Sequence, residues 1–343
     1  MKEILLFRKA NINTKFIAIF LLITLIFGLS GCNTSGPADQ FAISSSNIYF
    51  DTVITVTLYE QDCDEIFQDI WDLCNHYEML FSPTKKGSDL DKINHSNGTP
   101  CKVQSETIDL LSSAIRLSEQ YGGIIDPSIG ALKSVWKLDS DPGEWDLPSQ
   151  ADIMNALSHT DYRKIEIHPN ESTITLPDSE MTLDLGYIAK GYIAEKIKQY
   201  LIDKNINHAI ITLGGNVLCI GTKPSGKPYE VGVQYPFHSE NAPIYSLKLK
   251  DQSLVTSGIY ERYREKNGTI YSHILNLDTG YPVNNEILSV SILGEDSMLC
   301  DAYSTLFMLM PVDQGLEIIN SIADMEAIYV TSAYEVILSD GLK

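Results

Sequence analysis

An apolar run near the C-terminal end carries a single carboxylate, and this combination sharply limits how the segment can fold. Residues 298–310 read Met-Leu-Cys-Asp-Ala-Tyr-Ser-Thr-Leu-Phe-Met-Leu-Met. If they form a helix, Asp301 and Thr305 are one turn apart and their oxygens share one face. Burying a carboxylate without a partner is costly. The run therefore predicts a core helix whose acid is protonated, paired or bound to a metal ion.

Two interpretations of this pair remain open from the residues alone. Asp301 can be a helix N-cap, with Thr305 bonding back to its own helix. Alternatively, carboxylate and hydroxyl are oxygen ligands for Mg²⁺, which takes few protein oxygens together with water and substrate phosphates.

The overall charge restricts the class of partner. The 343 residues carry a formal net charge of -20 at pH 7. A nucleic-acid partner is therefore not expected, because phosphates require a basic face. A phosphate-bearing small molecule would need a local cation.

The N-terminus has the pattern of an export signal. Four basic side chains precede an apolar stretch over residues 16–29: Lys2, Arg8, Lys9 and Lys15. The following Leu-Ser-Gly-Cys sequence ends at Cys32 and is similar to a bacterial lipobox. We expect a signal peptide over 1–31, a lipidated (palmitate-bearing) Cys32 and a tether over 32–46. An uncleaved anchor or a simple signal peptide are the alternatives, although the stretch is short for a membrane span.

The rest of the chain predicts one α+β domain over residues 47–343. Mainly antiparallel sheets with flanking helices are expected, because hairpins and helices alternate without a fixed order. Residues 49–59 alternate as a strand. Helices are expected near 62–80, 105–121, 149–158, 185–201, 299–310 and 313–323. The five cysteines after Cys32 are expected to be mostly buried thiols, although a Cys63–Cys74 bridge is conceivable.

Three further segments each have a structural and a functional interpretation. Asp184 to Gly191 opens a helix, so Asp184 is either a cap or part of an anion site with Lys190. Gly214-Gly215 marks a bulge or the close approach of a ligand. His273 is either a polar core residue or a general base.

A possible phosphate loop is rejected on its sequence. Residues 221–227 match the first seven positions of a P-loop, but Pro228 replaces the Ser or Thr, and a strand pattern follows. We predict a hairpin turn there.

Taken together, the motifs resemble the ApbE family of FAD:protein FMN transferases over residues 47–331. They occur in the family's order: Phe50-Asp51-Thr52, Phe81-Ser82, Ser88 to Asn94, Asp126 to Trp136, Asp184 to Gly191, Gly214-Gly215-Asn216, Thr256 to Arg262, His273 to Gly280, and Asp301 with Thr305. The resemblance implies a T-fold-like α+β fold. It also implies an extracytoplasmic enzyme, lipid-anchored to the cell membrane, that moves FMN from FAD to a threonine of an electron-transport flavoprotein and releases AMP.

The resemblance also implies roles for individual residues. Mg²⁺, or Mn²⁺, would be bound by the Tyr187 carbonyl, Asp301 and Thr305. His273 would be the general base and would contact FAD. The other FAD-binding residues would be Phe50, Thr84, Ile124, Ile125, Asp126, Asp184 and Lys190.

The sequence departs from the family pattern in two motifs and leaves rival functions open. Phe50-Asp51-Thr52 replaces Met-Gly-Thr, and Asn276 to Gly280 lacks the arginine of Asp-Pro-Arg-Thr-Gly. The chain itself has no acceptor motif of the Asp/Ser-Gly-x-Ser/Thr-Gly-Ala-Thr type, which indicates the donor-side enzyme. An Mg²⁺-dependent FAD pyrophosphatase and a non-catalytic flavin-binding lipoprotein are the alternatives.

Overall fold

An eight-stranded antiparallel sheet organises the protein. The computed structural model describes residue 39 and residues 41–138, 145–238 and 243–343. Strand order in the large sheet is β1-β2-β6-β7-β10-β13-β14-β15. These strands span Ile43–Tyr49, Thr52–Leu58, Ala209–Leu213, Asn216–Ile220, Ser253–Gly258, Ile287–Gly294, Glu326–Thr331 and Val336–Leu338.

Smaller sheets carry the remaining strands. Three short strands pair in the order β3-β5-β4, namely Cys101–Lys102, Thr173–Thr175 and Glu166–His168. Two hairpins, β8–β9 and β11–β12, comprise Tyr229–Val233 with Tyr245–Leu249, and Tyr263–Lys266 with Thr269–Ser272. The predicted α+β class with antiparallel sheets is confirmed.

Eight α-helices flank the strands in the part of the chain that is described. In chain order, α1 to α8 are Asp64–Phe81, Asp89–Asn94, Ser105–Gln120, Gly130–Trp136, Gln150–Ser158, Ala189–Asp203, Ser297–Met308 and Val312–Ile319. None of the helices in the described ranges is both long and apolar enough to cross a membrane. The predicted signal peptide over 1–31 and the lipidation residue Cys32 lie outside the described residues.

The core lies where the sheet meets α6 and α7. Every residue of β13 is buried, and this strand pairs with β10 on one side and β14 on the other. Helix α7 packs against β10 and β13 as well as against α6. The two helices approach closely at Gly191, where an added Cβ would lie 2.2 Å from the carbonyl oxygen of Ser297.

The predicted tether extends too far. Residues 43–46 belong to β1, which pairs along its whole length with β2. The serines that suggested a linker form a hydroxyl ladder, with Ser44 Oγ 2.8 Å from Thr57 Oγ1 and Ser46 Oγ 2.8 Å from Thr55 Oγ1. Alternating small polar residues suit an exposed edge strand as well as a linker.

Several predicted boundaries also change. The strand expected over 49–59 begins at Thr52, because Phe50 and Asp51 both adopt φ of 54° and form the β1–β2 turn. Helix α6 begins at Ala189 rather than 185. The hairpin turn expected in place of a P-loop is confirmed, with the Lys223 N–H donating to the Lys227 carbonyl at 2.8 Å.

The described cysteines form no disulfide. Cys63, Cys74, Cys219 and Cys300 are buried free thiols, and Cys101 is a partly exposed one. The interpretation of these residues as mostly buried thiols is confirmed. A Cys63–Cys74 bridge is absent.

Candidate active site

Asp301 lies inside helix α7 and not at its start. The helix is capped by Asp296, whose carboxylate accepts the Leu299 N–H at 3.0 Å. The N-cap interpretation of Asp301 is therefore wrong. Asp301 is 2% exposed, so its charge must be satisfied within the fold.

The first turn of α6 supplies the partners of this carboxylate. Asp301 Oδ2 accepts the Gly191 N–H at 2.8 Å, and Oδ1 lies 3.7 Å from Lys190 Nζ. Lys190 Nζ also donates to the Gly186 carbonyl at 3.0 Å. The Gly191 N–H and the positive dipole end of the helix favour a negative charge there. Of the three outcomes expected for Asp301, namely protonation, pairing or metal binding, these contacts show pairing with Lys190.

The oxygens of Tyr187, Asp301 and Thr305 are of the kind that a hard divalent cation prefers. Gly191 lies in the first turn of α6, where N–H groups have no acceptor within the helix, and its N–H donates to Asp301. The Tyr187 carbonyl precedes the N-cap Ile188 and accepts no helical bond from Gly191. Thr305, one turn after Asp301, has its hydroxyl 3.1 Å from Ser257 Oγ. Carboxylate, hydroxyl and carbonyl oxygens form a donor set for Mg²⁺ or Mn²⁺.

Side chains that commonly bind transition metals do not cluster here. Across the described ranges, no three His, Cys, Asp or Glu residues converge where they could hold a metal ion. A cation beside Asp301 would therefore depend largely on hydroxyl, carbonyl and substrate oxygens. Such incomplete protein coordination is typical of Mg²⁺ bound together with phosphates.

Glu261 is a site residue that the sequence did not single out. The protein packed around its carboxylate raises its pKa to about 7, Lys190 opposes this rise, and Asp301 adds to it. The residue nevertheless remains exposed to solvent. Glu261 also explains why residue 215 is a glycine. A Cβ at Gly215 would lie 2.7 Å from Glu261 Oε1 and 2.5 Å from the Thr256 carbonyl oxygen.

Asp184, in the loop before α6, forms an ion pair with a lysine of α4. Its Oδ2 lies 2.8 Å from Lys133 Nζ, and its Oδ1 accepts the Gly186 N–H at 2.9 Å. Burial alone would raise the pKa of this carboxyl, but the charge and hydrogen bond of Lys133 keep it below its ordinary value. Asp184 does not cap α6, since Ile188 occupies that position. No spacing pattern links residues 133 and 184, so no sequence signal identifies Lys133.

The loop before α4 lies beside the Asp184 loop. The Asp184 N–H donates to the Pro127 carbonyl at 2.8 Å, and the Gly130 N–H donates to the Thr182 carbonyl at 3.0 Å. These bonds bring the predicted flavin-contact stretch close to the start of α6. In that stretch Ile125 is buried and Ile124 is partly buried.

The Asp126 side chain is fully engaged within the protein. Its carboxylate accepts the Ser128 N–H and hydroxyl at 2.7 and 2.6 Å, and the Tyr162 N–H at 2.8 Å. Burial raises the pKa of this carboxyl despite these bonds. Any contact of this residue with a ligand would have to come mainly from its backbone.

Phe50 and Thr84 lie around the C-terminal end of α1. The Phe50 N–H donates to Glu78 Oε1 at 2.8 Å, and Lys85 forms an ion pair with the same carboxylate. Thr84 Oγ1 lies 3.3 Å from Ser82 Oγ, and Thr84 is exposed. The Phe50 turn reaches the glycine pair through Thr52, whose Oγ1 would lie 3.0 Å from a Cβ at Gly214.

The backbone of Arg262 orients the His273 imidazole. His273 Nδ1 lies 3.2 Å from the Arg262 carbonyl oxygen. Because a carbonyl only accepts hydrogen bonds, Nδ1 carries the proton in the neutral ring and Nε2 keeps a lone pair. This tautomer suits a general base. Arg262 follows Glu261 in the chain, so this bond links His273 to the segment whose Glu261 interacts electrostatically with Asp301 and Lys190.

Fold and site together define an antiparallel α+β protein in which a helix start and its lysine contact a buried carboxylate. The sequence matches the ApbE family over residues 50–329, and the chain belongs to that family. The resemblance inferred from the motifs is thereby confirmed.

Curated relatives and a solved structure agree with this assignment. The FAD:protein FMN transferase of Klebsiella pneumoniae (strain 342) is 32% identical over 303 residues, covering 88% of this chain and 93% of the relative. That of Treponema pallidum is 27% identical, covering 94% and 93%. The crystal structure of the ApbE protein of Thermotoga maritima superimposes with a TM-score of 0.81 at 27% identity, covering 88% of this chain and 98% of that one.

Proposed function

We propose that this protein is an FAD:protein FMN transferase, which moves FMN from FAD to a threonine hydroxyl of a target protein and releases AMP. The observation that carries the proposal is the start of α6, where Lys190 and the Gly191 N–H lie against the buried Asp301. A lysine at the positive end of a helix dipole favours the pyrophosphate of FAD. The curated FMN transferases that match nearly the full length of the chain support this substrate.

The reaction requires one proton acceptor and a stabilised leaving group. A threonine oxygen of the target forms a bond to the FMN phosphorus, and the bond from that phosphorus to the AMP oxygen breaks. The threonine proton passes to Nε2 of His273, whose orientation is fixed by the Arg262 carbonyl. Phosphoryl transfer depends mostly on positioning and charge stabilisation, which suits this small set of groups.

Cations would balance the phosphate charge in this acidic protein. We propose that the Tyr187 carbonyl, Asp301 and Thr305 hold Mg²⁺, or Mn²⁺, in the cleft. The metal would supply charge neutralisation on the pyrophosphate. Lys190 would contact the same phosphates, and Asp184 would fix the loop before α6 through Gly186. Phe50, Thr84 and the stretch from Ile124 to Asp126 would line the rest of the FAD cleft.

A direct assay tests the proposed reaction. The enzyme is incubated with FAD and Mg²⁺, with and without an apo-flavoprotein domain that carries an Asp/Ser-Gly-x-Ser/Thr-Gly-Ala-Thr motif. We expect FMN fluorescence that remains with the acceptor on a denaturing gel, together with released AMP. Free FMN in place of labelled acceptor would indicate a pyrophosphatase, and FAD binding without AMP release would indicate a non-catalytic flavin protein.

His273 variants test the proton acceptor. In His273→Asn, the amide nitrogen can still donate to the Arg262 carbonyl, but no group replaces Nε2. We expect FMN transfer to fall by about 10²–10⁴-fold while FAD binding stays within a few-fold. His273→Gln, which places its amide nearer the Nε2 position, should lose transfer as well. Transfer at the wild-type rate in both variants would remove His273 from the mechanism.

We further propose that the enzyme acts outside the cytoplasm, anchored by a lipid on Cys32. The basic, apolar and small-residue pattern of residues 1–32 supports this location. The acidic net charge gives an anionic membrane surface no attraction for the domain, so the lipid would provide the attachment. The acceptor would then be an electron-transport flavoprotein with a domain on the same side of the membrane.

A further inference from the structure

The strand that leads to His273 has one edge without a neighbouring strand. Within the described residues, β12 pairs only with β11, with Tyr263 opposite Ser272 and Glu265 opposite Ile270. The His273 N–H donates to the Arg262 carbonyl at 3.0 Å. Hydrogen-bonded and non-hydrogen-bonded pairs alternate along an antiparallel ladder. Ile270 and Ser272 therefore direct their N–H and C=O groups away from β11.

The chain itself covers the same side of this strand just beyond His273. The Val283 N–H donates to the Ile274 carbonyl at 2.8 Å, and Leu275 bridges to Pro282. After Val283 the chain turns away, because the Asn285 amide donates to the Met308 carbonyl at 2.9 Å and its oxygen accepts the Ile287 N–H at 2.9 Å. The main-chain pairing of residues 282 and 283 with residues 274 and 275 is therefore not continued alongside Ser272 and Ile270.

A cavity of about 390 Å³ lies at this interruption. All of its lining residues are uncharged, including Ile259, Ile270, Ser272, Val283 and Asn284. Ser272 is 1% exposed, and its hydroxyl has no hydrogen-bond partner among the described residues. A buried hydroxyl without a partner beside a cavity points to a polar ligand.

We propose that the acceptor protein binds here as an added β-strand along the open edge of β12, and this inference rests on the proposed transferase function. The occupant is an extended, uncharged segment that contains the acceptor threonine. Its backbone would pair with Ile270 and Ser272, and its side chains would enter the neutral cavity. Side chains alternate between the two faces of a strand, and its residues are about 3.3 Å apart. The acceptor threonine would therefore be the residue next to the one that pairs with Ser272, on the same face as His273.

A proline substitution at the edge tests this binding mode. Ile270→Pro removes an N–H that points away from β11, so the hairpin keeps its own ladder. Glu265→Pro is the matched control, because it removes the equivalent outward N–H from the opposite edge of the same hairpin. For Ile270→Pro we expect the KM for the apo-flavoprotein acceptor to rise at least about tenfold, with FAD binding unchanged. Glu265→Pro should stay within about twofold of wild type.

Hydrogen exchange on the unmodified enzyme provides a second measurement that does not depend on the variants folding. The Ile270 and Ser272 amides should be protected when the acceptor is added and unprotected with FAD alone. A wild-type KM in Ile270→Pro, no protection by the acceptor, or protection by FAD alone would each overturn the inference. A wild-type enzyme that releases AMP from FAD but labels no acceptor would instead contradict the proposed function.

Discussion

At the scale of single residues, the site contains both predicted and unpredicted groups. Asp301 stood out because an acid in an apolar run needs a partner, and it has two in Gly191 and Lys190. Lys133 and Glu261 could not be identified in this way, because they come from segments with ordinary polarity. Their importance arises only when the fold places them beside Asp184 and Asp301. A single sequence reveals chemical anomalies, but it does not reveal long-range proximity.

Replacing Asp301 by asparagine tests the metal assignment. Asp301→Asn keeps an oxygen for the Gly191 N–H but removes the charge that a divalent cation needs. We expect Mg²⁺-dependent FMN transfer to fall by at least about 100-fold, with the circular dichroism spectrum retained. Asp296→Asn is the control on the same helix, because asparagine also caps well, and it should remain active. Wild-type transfer by Asp301→Asn would contradict the metal assignment.

The Asp184–Lys133 pair should make stability depend on acidity. The folded-state pKa of Asp184 lies below the ordinary value of 3.8, so the unfolded chain binds more protons in that range. The stabilisation is present above pH 3.8 and is lost as pH falls through the folded-state pKa. At pH 7, Asp184→Asn should cost about 1–3 kcal/mol of unfolding free energy, because a charge-assisted hydrogen bond is lost.

Urea unfolding from pH 7 down to pH 2 measures this dependence. The difference between wild type and Asp184→Asn should shrink at the acid end of the series. The exposed Asp313→Asn serves as the control and should stay within about 0.5 kcal/mol of wild type at pH 7. A difference that grows as the pH falls would show that the sign of the Asp184 shift is wrong.

At the scale of secondary-structure elements, hydrophobic periodicity predicted most long helices, but not every helix boundary and not the short helices. The stripes near residues 62–80, 105–121 and 149–158 correspond closely to α1, α3 and α5. Helix α6 starts four residues later than predicted, because Asp184 serves the loop and not the helix. The short helices α2 and α4 were missed, since six or seven residues hold too few turns to show a period. The tether was too long for a similar reason, because an exposed edge strand is as polar as a linker.

The crossing of α6 and α7 leaves no room for a side chain at Gly191. In Gly191→Ala, the Cβ would lie 2.2 Å from the Ser297 carbonyl oxygen, so one helix must shift. We expect a loss of about 1–3 kcal/mol and a thermal midpoint lower by a few degrees. FMN transfer should also fall, because the Gly191 N–H moves away from Asp301. Differential scanning calorimetry and the transfer assay measure both effects.

An exposed position on the same helix provides the comparison. Gln199→Ala removes one hydrogen bond to Asp203 and should change stability by no more than about 0.5 kcal/mol. If Gly191→Ala were equally mild, the helix crossing would be more adaptable than the close approach implies.

At the scale of the whole molecule, the sequence predicted the α+β class because hairpin and helix patterns alternate along the chain. The order of eight strands in one sheet was not predictable, since strand partners such as β2 and β6 are far apart in sequence. The open edge of β12 was not predictable either, because it depends on which other strands lie beside the β11–β12 hairpin. The pattern of the N-terminal residues predicts location rather than fold.

The proposed lipid attachment is tested by replacing Cys32. In Cys32→Ser, the residue that would carry the lipid is lost while the domain is unchanged. We expect the variant to leave the membrane fraction and to keep its FMN transfer rate toward a soluble acceptor domain. Mass spectrometry of the wild-type N-terminal peptide should show the lipid on Cys32. A Cys32→Ser variant that remains in the membrane fraction would favour an uncleaved anchor.

The bond between Gly191 and Asp301 joins positions 110 residues apart. A growing polypeptide emerges from its N-terminus, so helix α6 is complete long before its carboxylate partner has been synthesised. The proposed site therefore cannot form on a nascent chain until α7 has been made. We expect any product that ends before Asp301 to lack FMN transfer activity, however much of the sheet it had assembled.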